Sequence, residues 1–202
     1  MKKAIDLIKK YSYLEYQQYV ETLFKKNEAT GTEQSQERLE ATYLNIKRTS
    51  RLLKTAKIND QIKAELNSIK IKWKWILILE GWCGDGAQIA PYIYKTSSFS
   101  SNISLEIILR DENPEFMDNH LTNGTRSIPK LICFDNKKNL ELVSWGPRPK
   151  EISLWVKSYK TAFPNGSSEE FKRNLHLFYH KNKGEAINND LLDFIYACKK
   201  AS

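Results

Sequence analysis

Apolar side chains recur along this chain with two different periods, and the change from one to the other falls near Ile71. Up to about Lys70 the spacing is helical. Tyr13, Tyr16, Tyr19, Val20, Leu23 and Phe24 follow one another at three- and four-residue steps, and the run breaks around Gly31. A second helix is predicted from about Thr32, with Leu39, Tyr43, Ile46, Leu52 and Leu53 as its apolar stripe. A shorter one, Asn59 to Ile69, has Asn59 or Asp60 as its cap.

Beyond Ile71 strand patterns enter. Trp73 to Leu79 is nearly all β-branched, aromatic or aliphatic, as for a strand covered on both faces. The turn from Gly81 to Gly86 leads into a helix predicted over Ala87 to about Lys95. Ile103 to Leu109 reads as a second buried strand. Asn113-Pro114 opens a helix, with Asn as cap and Pro at the first position, that ends near Asn123-Gly124. Pro129 to Phe134 and Leu140 to Ser144 are two strands around the turn Asp135 to Lys138. A helix from Pro147 to about Ala162 carries Ile152, Leu154, Trp155 and Tyr159 on its apolar side. Two more follow, Ser168 to about Lys181, capped by Ser167 or Ser168, and Glu185 to about Lys199. The order βαβαββα predicts an α/β fold: a mixed four-stranded sheet with flanking helices and added N- and C-terminal helices. The expected division is a helical extension over 1–70, a core domain over 71–163, and C-terminal helices over 164–202 that pack on it.

Charge changes this picture little. The net charge is +8, but the lysines are spread in pairs such as Lys2-Lys3, Lys25-Lys26 and Lys137-Lys138, as on solvated helix faces and loop tips. No nucleic-acid motif accompanies them, so no nucleic-acid partner is expected. The longest apolar run, Trp75 to Leu79, is too short to span a bilayer. Asp6, Lys9 and Lys10 interrupt the stretch from Met1 to Leu14, which therefore lacks a leader's apolar segment. The expectation is a cytoplasmic protein with no membrane partner. Cys83, Cys133 and Cys198 are too few and too scattered for a disulfide framework, and no pair has zinc-ligand spacing, so neither metal nor cofactor is expected.

The candidate chemistry sits at Trp82-Cys83-Gly84-Asp85-Gly86. Cys83 lies where a buried strand gives way to a helix, and a helix N-terminus favours a thiolate. The motif resembles that of the thioredoxin superfamily, in which Trp-Cys-x-x-Cys joins the first core strand to its helix and a cis proline follows later. Ile128-Pro129, 46 positions after Cys83, fits that proline. The chain is more closely similar to a bacterial subgroup of thioredoxin family proteins with an N-terminal helical extension. Ala87-Gln88 and Pro91, Leu109 to Asn113, Asn123 to Ile132 and Trp145-Gly146-Pro147-Arg148-Pro149 carry that likeness. The resemblance implies a thioredoxin-like fold, a cis Ile128-Pro129 bond, and an Ile128 backbone that pairs with a substrate strand.

Two departures bear on activity. Gly86 stands where the second cysteine would sit, and Leu77 where reductases of the superfamily often hold a buried acid. Without a second thiol a mixed disulfide is not released from within. Cys133 falls roughly 13 Å along its strand from Pro129, too far to help. Dithiol reductase activity is therefore not expected. The leading expectation is a monothiol in thiol–disulfide exchange or cell redox homeostasis: Cys83 reacts, and Trp82, Gly84, Asp85, Ile128 and Pro129 hold a protein disulfide or low-molecular-weight thiol. The alternatives are a non-catalytic protein-binding module with the same fold, and a thiol redox sensor. Asp85 either caps the helix or opposes a nearby thiolate. Arg126 and Lys130 either favour an anion at the site or are solvated loop charges. His176 and His180, four apart on one helix, are read as packing or surface residues. Asn123-Gly124-Thr125 and Asn165-Gly166-Ser167 are read as turns.

Overall fold

The computed structural model describes residues 9–202; residues 1–8, most of the leader-like stretch considered above, lie outside the described part. Four strands form one sheet in the order β2-β1-β3-β4. The central β1 (Trp73–Leu79) pairs in parallel with β2 (Ile103–Leu109) and antiparallel with β3 (Lys130–Asp135), and β3 pairs antiparallel with β4 (Leu140–Trp145). Both strands of the parallel pair match the residues predicted for them. Successive side chains of a strand point to opposite faces, and β1 divides accordingly. Trp73, Trp75, Leu77 and Leu79 enter the larger core with Ile107, Leu131 and the helices α1 (Tyr13–Lys25), α3 (Asp60–Asn67) and α4 (Gly84–Ser97). Ile76 and Ile78 enter a smaller core with Ile132, Phe134, Phe116 and Cys83, under the short α5 (Pro114–Asp118).

The helices before the sheet close one side of it. Tyr11 makes a two-hydrogen-bond bridge to Ile107 on the outer strand β2, which covers part of that edge. α2 (Gln36–Thr55) lies along α4; of the predicted stripe Leu52 is buried and Ile46 and Leu53 pack against the core, but the rest of the buried face is polar. Thr42, Asn45, Thr49 and Leu52 are its buried residues, whereas Tyr43 is exposed. The polar face is buried because it has partners. Asn45 Nδ2 donates to the Gly81 carbonyl at 2.9 Å, and the Thr42 and Thr49 hydroxyls bond back to carbonyls of their own helix. Small side chains also let α2 approach the turn that carries Cys83.

At the other end, α6 (Lys150–Ala162), α7 (Ser168–Asn182) and α8 (Glu185–Ala201) pack back toward α4 and β4. Leu154 of α6, predicted inside, is exposed; Ile152 and Val156 are buried. Trp155 and Tyr159 instead form an aromatic cluster with Phe171 and Phe178 of α7. Several predicted helices have different limits: α2 starts at Gln36, not near Thr32. α5 ends at Asp118, and the Asn113 amide donates to Leu109 rather than capping it. α6 starts at Lys150, after the proline segment. Cys133 and Cys198 are both fully buried in the larger core.

Gly146 joins β4 to that proline segment with φ of 122°, a region that favours glycine. A Cβ there would lie 2.3 Å from the Pro129 carbonyl oxygen, which is backbone and has no room to turn aside. Gly146→Ala is therefore expected to destabilise the fold by about 3 kcal/mol or more. A urea titration checks this: an unchanged midpoint overturns it.

Candidate functional site

β1 delivers its last buried residues, Leu79 and Glu80, to the turn Gly81-Trp82, and α4 begins at once. The predicted start at Ala87 is three residues late, because Cys83 itself is the N-cap: its Sγ accepts the Gly86 N–H at 3.3 Å. Asp85 does not cap. The thiol hydrogen points to the Ile128 carbonyl, 3.4 Å away. The Ile128-Pro129 bond is cis, as is Gly146-Pro147. Both hydrogen-bonding capacities of Sγ are thus satisfied by backbone, and only 7% of Cys83 is exposed.

The surroundings hold this sulfur protonated. Burial pushes the Cys83 thiol up to about 12; the Asp85 carboxylate adds to this, and the Gly86 N–H and Arg148 oppose it. Desolvation outweighs the helix N-terminus here, since a thiolate stripped of water has lost more than two N–H dipoles return. Asp85 is buried with two partners. Arg148 Nη2 lies 2.6 Å from Oδ2, and the Tyr179 hydroxyl donates to Oδ1 at 2.7 Å. Arg148 comes from the proline segment and Tyr179 from α7, so one carboxylate joins three parts of the chain.

Sequence reasoning missed several neighbours. His176 of α7 lies against Gly84, where a Cβ would meet its ring at 3.0 Å. Burial first and Arg48 second push its imidazole down to about 4, so it is neutral at pH 7. Trp82 donates from Nε1 to the Thr30 carbonyl and is covered by two guanidinium groups, Arg38 at 3.4 Å and Arg110 at 4.7 Å from the ring centre. Arg126 and Lys130 have partners of their own: Arg126, on the cleft over Cys83, pairs with Asp118 through two hydrogen bonds, and Lys130 donates to Thr122. The only sequence signal for His176 and Tyr179 is their i, i+3 spacing on α7.

A cleft of about 1110 Å³ opens above Cys83. Trp82, Gly84, Asp85 and Ile128 line it with Cys83, whereas Pro129 lies behind, its carbonyl against Gly146. Its walls come from α2 on one side and from the α6–α7 region on the other. No cluster of three or more metal-ligating side chains exists among the described residues, and no helix among them is long and apolar enough to cross a membrane.

Gly86 bears on the missing second sulfur. A Cβ there would lie 3.4 Å from Cys83 Cβ and 3.5 Å from Sγ, close to disulfide spacing. Leu77 is fully buried in the apolar core, but a carboxyl lies nearby all the same. Glu80 is buried at the end of β1. Its Oε1 accepts the Asp111 N–H at 3.0 Å, and its Oε2 is buried without a partner. Burial raises this carboxyl to about 7; the Thr30 hydroxyl and the Asp111 N–H oppose the shift, and the Asp111 charge adds to it.

A family model described as thioredoxin matches residues 31–160. No curated protein matches the chain. Among solved structures, a protein of unknown function from Pseudomonas aeruginosa is similar at 18% identity and a TM-score of 0.53, over 95% of this chain and 99% of that one. An HIV epitope-scaffold is similar at 17% identity and the same TM-score, over 95% and 100%.

Glu80 makes stability depend on pH. The folded chain keeps its proton up to about pH 7, the unfolded chain only to 4.5. The stabilisation from that extra proton is full below 4.5 and lost as pH rises through 7, about 3 kcal/mol in all. Glu80→Gln keeps an acceptor for Asp111 and removes the titration. Relative to the native chain it is expected to gain roughly 2 kcal/mol between pH 5 and pH 8. Urea titrations at the two pH values check this, and an equal difference at both overturns it.

Proposed function

This chain belongs to the thioredoxin family, and from that premise we propose that it is a monothiol that captures disulfide partners at Cys83 and holds them. The observation that carries this reading is the seat of Sγ: at the floor of a cleft, against the Ile128 carbonyl, with Gly86 in place of a second sulfur. In the exchange, the Cys83 proton leaves to solvent and Sγ attacks one sulfur of a disulfide. The new S–S bond forms as the old one breaks, and the departing half leaves as a thiolate. An external thiol later reverses the step. A reducing, cytoplasmic setting belongs to this reading, because small thiols must be abundant to recycle the site.

The raised thiol sets the pace. With a pKa of about 12, about one molecule in 10⁵ is ionised at pH 7, against a few per cent of ordinary cysteines. The more basic thiolate recovers a factor of roughly 40 in nucleophilicity. Attack is then about 100-fold slower than at a free cysteine. A basic thiolate is also a poor leaving group, so a mixed disulfide once formed at Cys83 persists. Slow capture and slow release suit holding better than turnover. The same protonated thiol favours a second reading, a binding module of the same fold without redox chemistry. Capture of partners that survives Cys83→Ser selects that reading.

Alkylation by iodoacetamide tests the protonation of Cys83 on which the slow capture rests. Cys83 is expected to label about 100-fold more slowly than a free cysteine at pH 7, with the rate rising about tenfold per pH unit to pH 10. It still labels before the fully buried Cys133 and Cys198. A plateau near pH 8 overturns the raised thiol and with it the slow capture. Gly86→Cys is expected to form a disulfide with Cys83 on mild oxidation, read as the loss of two titratable thiols, with only the Leu79 Cδ2 methyl, 3.0 Å from the new Cβ, needing to shift. Four free thiols persisting after oxidation overturn that geometry.

A further inference from the structure

The cleft walls carry an excess of cationic side chains. Glu33, Glu37 and Asp85 are its acidic lining residues, and they are taken by Arg38, Lys172 and Arg148. Arg48, Lys160 and Arg173 also line it, and none of these three has a carboxylate within salt-bridge distance among the described residues. Arg48 is the most informative. It is half-buried on α2 and donates a hydrogen bond to the neutral Asn45 Oδ1; burial first and Arg51 second push its guanidinium down, against the opposing charge of Asp85. A half-buried guanidinium with no carboxylate partner, on the same cleft as two further unpaired cations, is a seat for an anion. Its field reaches His176 and Asp85, so that anion would lie beside Cys83.

The shape of the cleft restricts the partner. Cys83 lines the cleft between α2 and the α6–α7 region and is only 7% exposed, which favours a small partner over a broad folded surface. The volume of about 1110 Å³ is slightly above the usual range of small-molecule sites, about 300–1,000 Å³, and leaves room for a bulky small molecule. We infer that the cleft takes a low-molecular-weight disulfide with several anionic groups, carboxylates or phosphates. Its sulfur meets Cys83 while Arg48, Arg173 and Lys160 hold its charges. This rests on the monothiol reading above and names the substrate class for it. The exchange is the one already written: the Cys83 proton goes to solvent, the Sγ–S bond forms, the small disulfide's bond breaks, and its other half departs as a thiolate that takes up a proton.

The experiment compares disulfides that differ mainly in charge on the full native chain: oxidised glutathione and oxidised coenzyme A as the carboxylate and phosphate probes, neutral 2-hydroxyethyl disulfide, and cationic cystamine. Mixed-disulfide formation at Cys83 is followed by intact mass. The anionic probes are expected to react about tenfold faster than the neutral one, and cystamine more slowly than either, with the spread collapsing between about 50 mM and about 500 mM salt. Which anionic probe leads distinguishes carboxylate from phosphate. The anionic-to-neutral rate ratio is expected to fall about fivefold in Arg48→Gln and about twofold in the exposed Arg173→Gln, which keeps the test open where the half-buried variant fails to fold. Equal rates for all charges overturn the inference and leave the monothiol reading standing. If no probe reacts, but calorimetry on Cys83→Ser shows reduced glutathione or coenzyme A bound, exchange fails and the anion site stands. An acidic peptide disulfide that outpaces both small anions by tenfold also overturns the inference.

Discussion

The carboxylate of Asp85 sits in the first turn of a buried helix, and so it must be paired. Its partners are Arg148 and Tyr179, one from the proline segment before α6 and one from α7. Removing one member of a buried charged pair commonly costs several kcal/mol, because the other charge is left in a place water does not reach. This one contact therefore ties the C-terminal helices to the motif turn. It sets the position of α7, and with it His176 against Gly84 and one wall of the cleft.

The same carboxylate acts on the sulfur. A cysteine at a helix N-terminus is an anion site in principle, and Sγ does accept the Gly86 N–H. Burial and Asp85 outweigh that donor, so the group at rest is a thiol bonded to the Ile128 carbonyl. The family's strand–turn–helix frame is kept while its reactive species is suppressed. The lost second sulfur and the protonated first one act in the same direction. Either alone slows turnover; together they make capture the chemistry most consistent with the site.

The added helices do more than enlarge the core. α2 turns a polar face inward, and Asn45 binds the carbonyl of Gly81 just before Trp82. The Thr30 hydroxyl accepts the Gly81 N–H, and its carbonyl accepts the Trp82 indole N–H. The loop between α1 and α2 thus holds the motif turn from one side, as α7 does from the other. Glu80, beside Thr30, is the buried acid near the site, although Leu77 occupies the position where one was sought.

The amino-acid sequence by itself determined the parts that depend on neighbours along the chain. The bounds of β1 and β2, the order of elements, the capping Ser167 and Asn59, and the single sulfur of the motif were all legible, because strand alternation, helix caps and motif spacing act over a few residues. Periodicity failed where a buried face is polar, as on α2, since Thr and Asn look like surface residues until their partners are known. It failed at Leu154 because an apolar side chain can remain outside. The protonation of Cys83, the pairing of Asp85, the raised carboxyl of Glu80 and the cationic cleft belong to the tertiary structure alone. Each is a sum of burial and charge over groups far apart in sequence, and only folding brings Arg48, Arg148 and His176 to one sulfur.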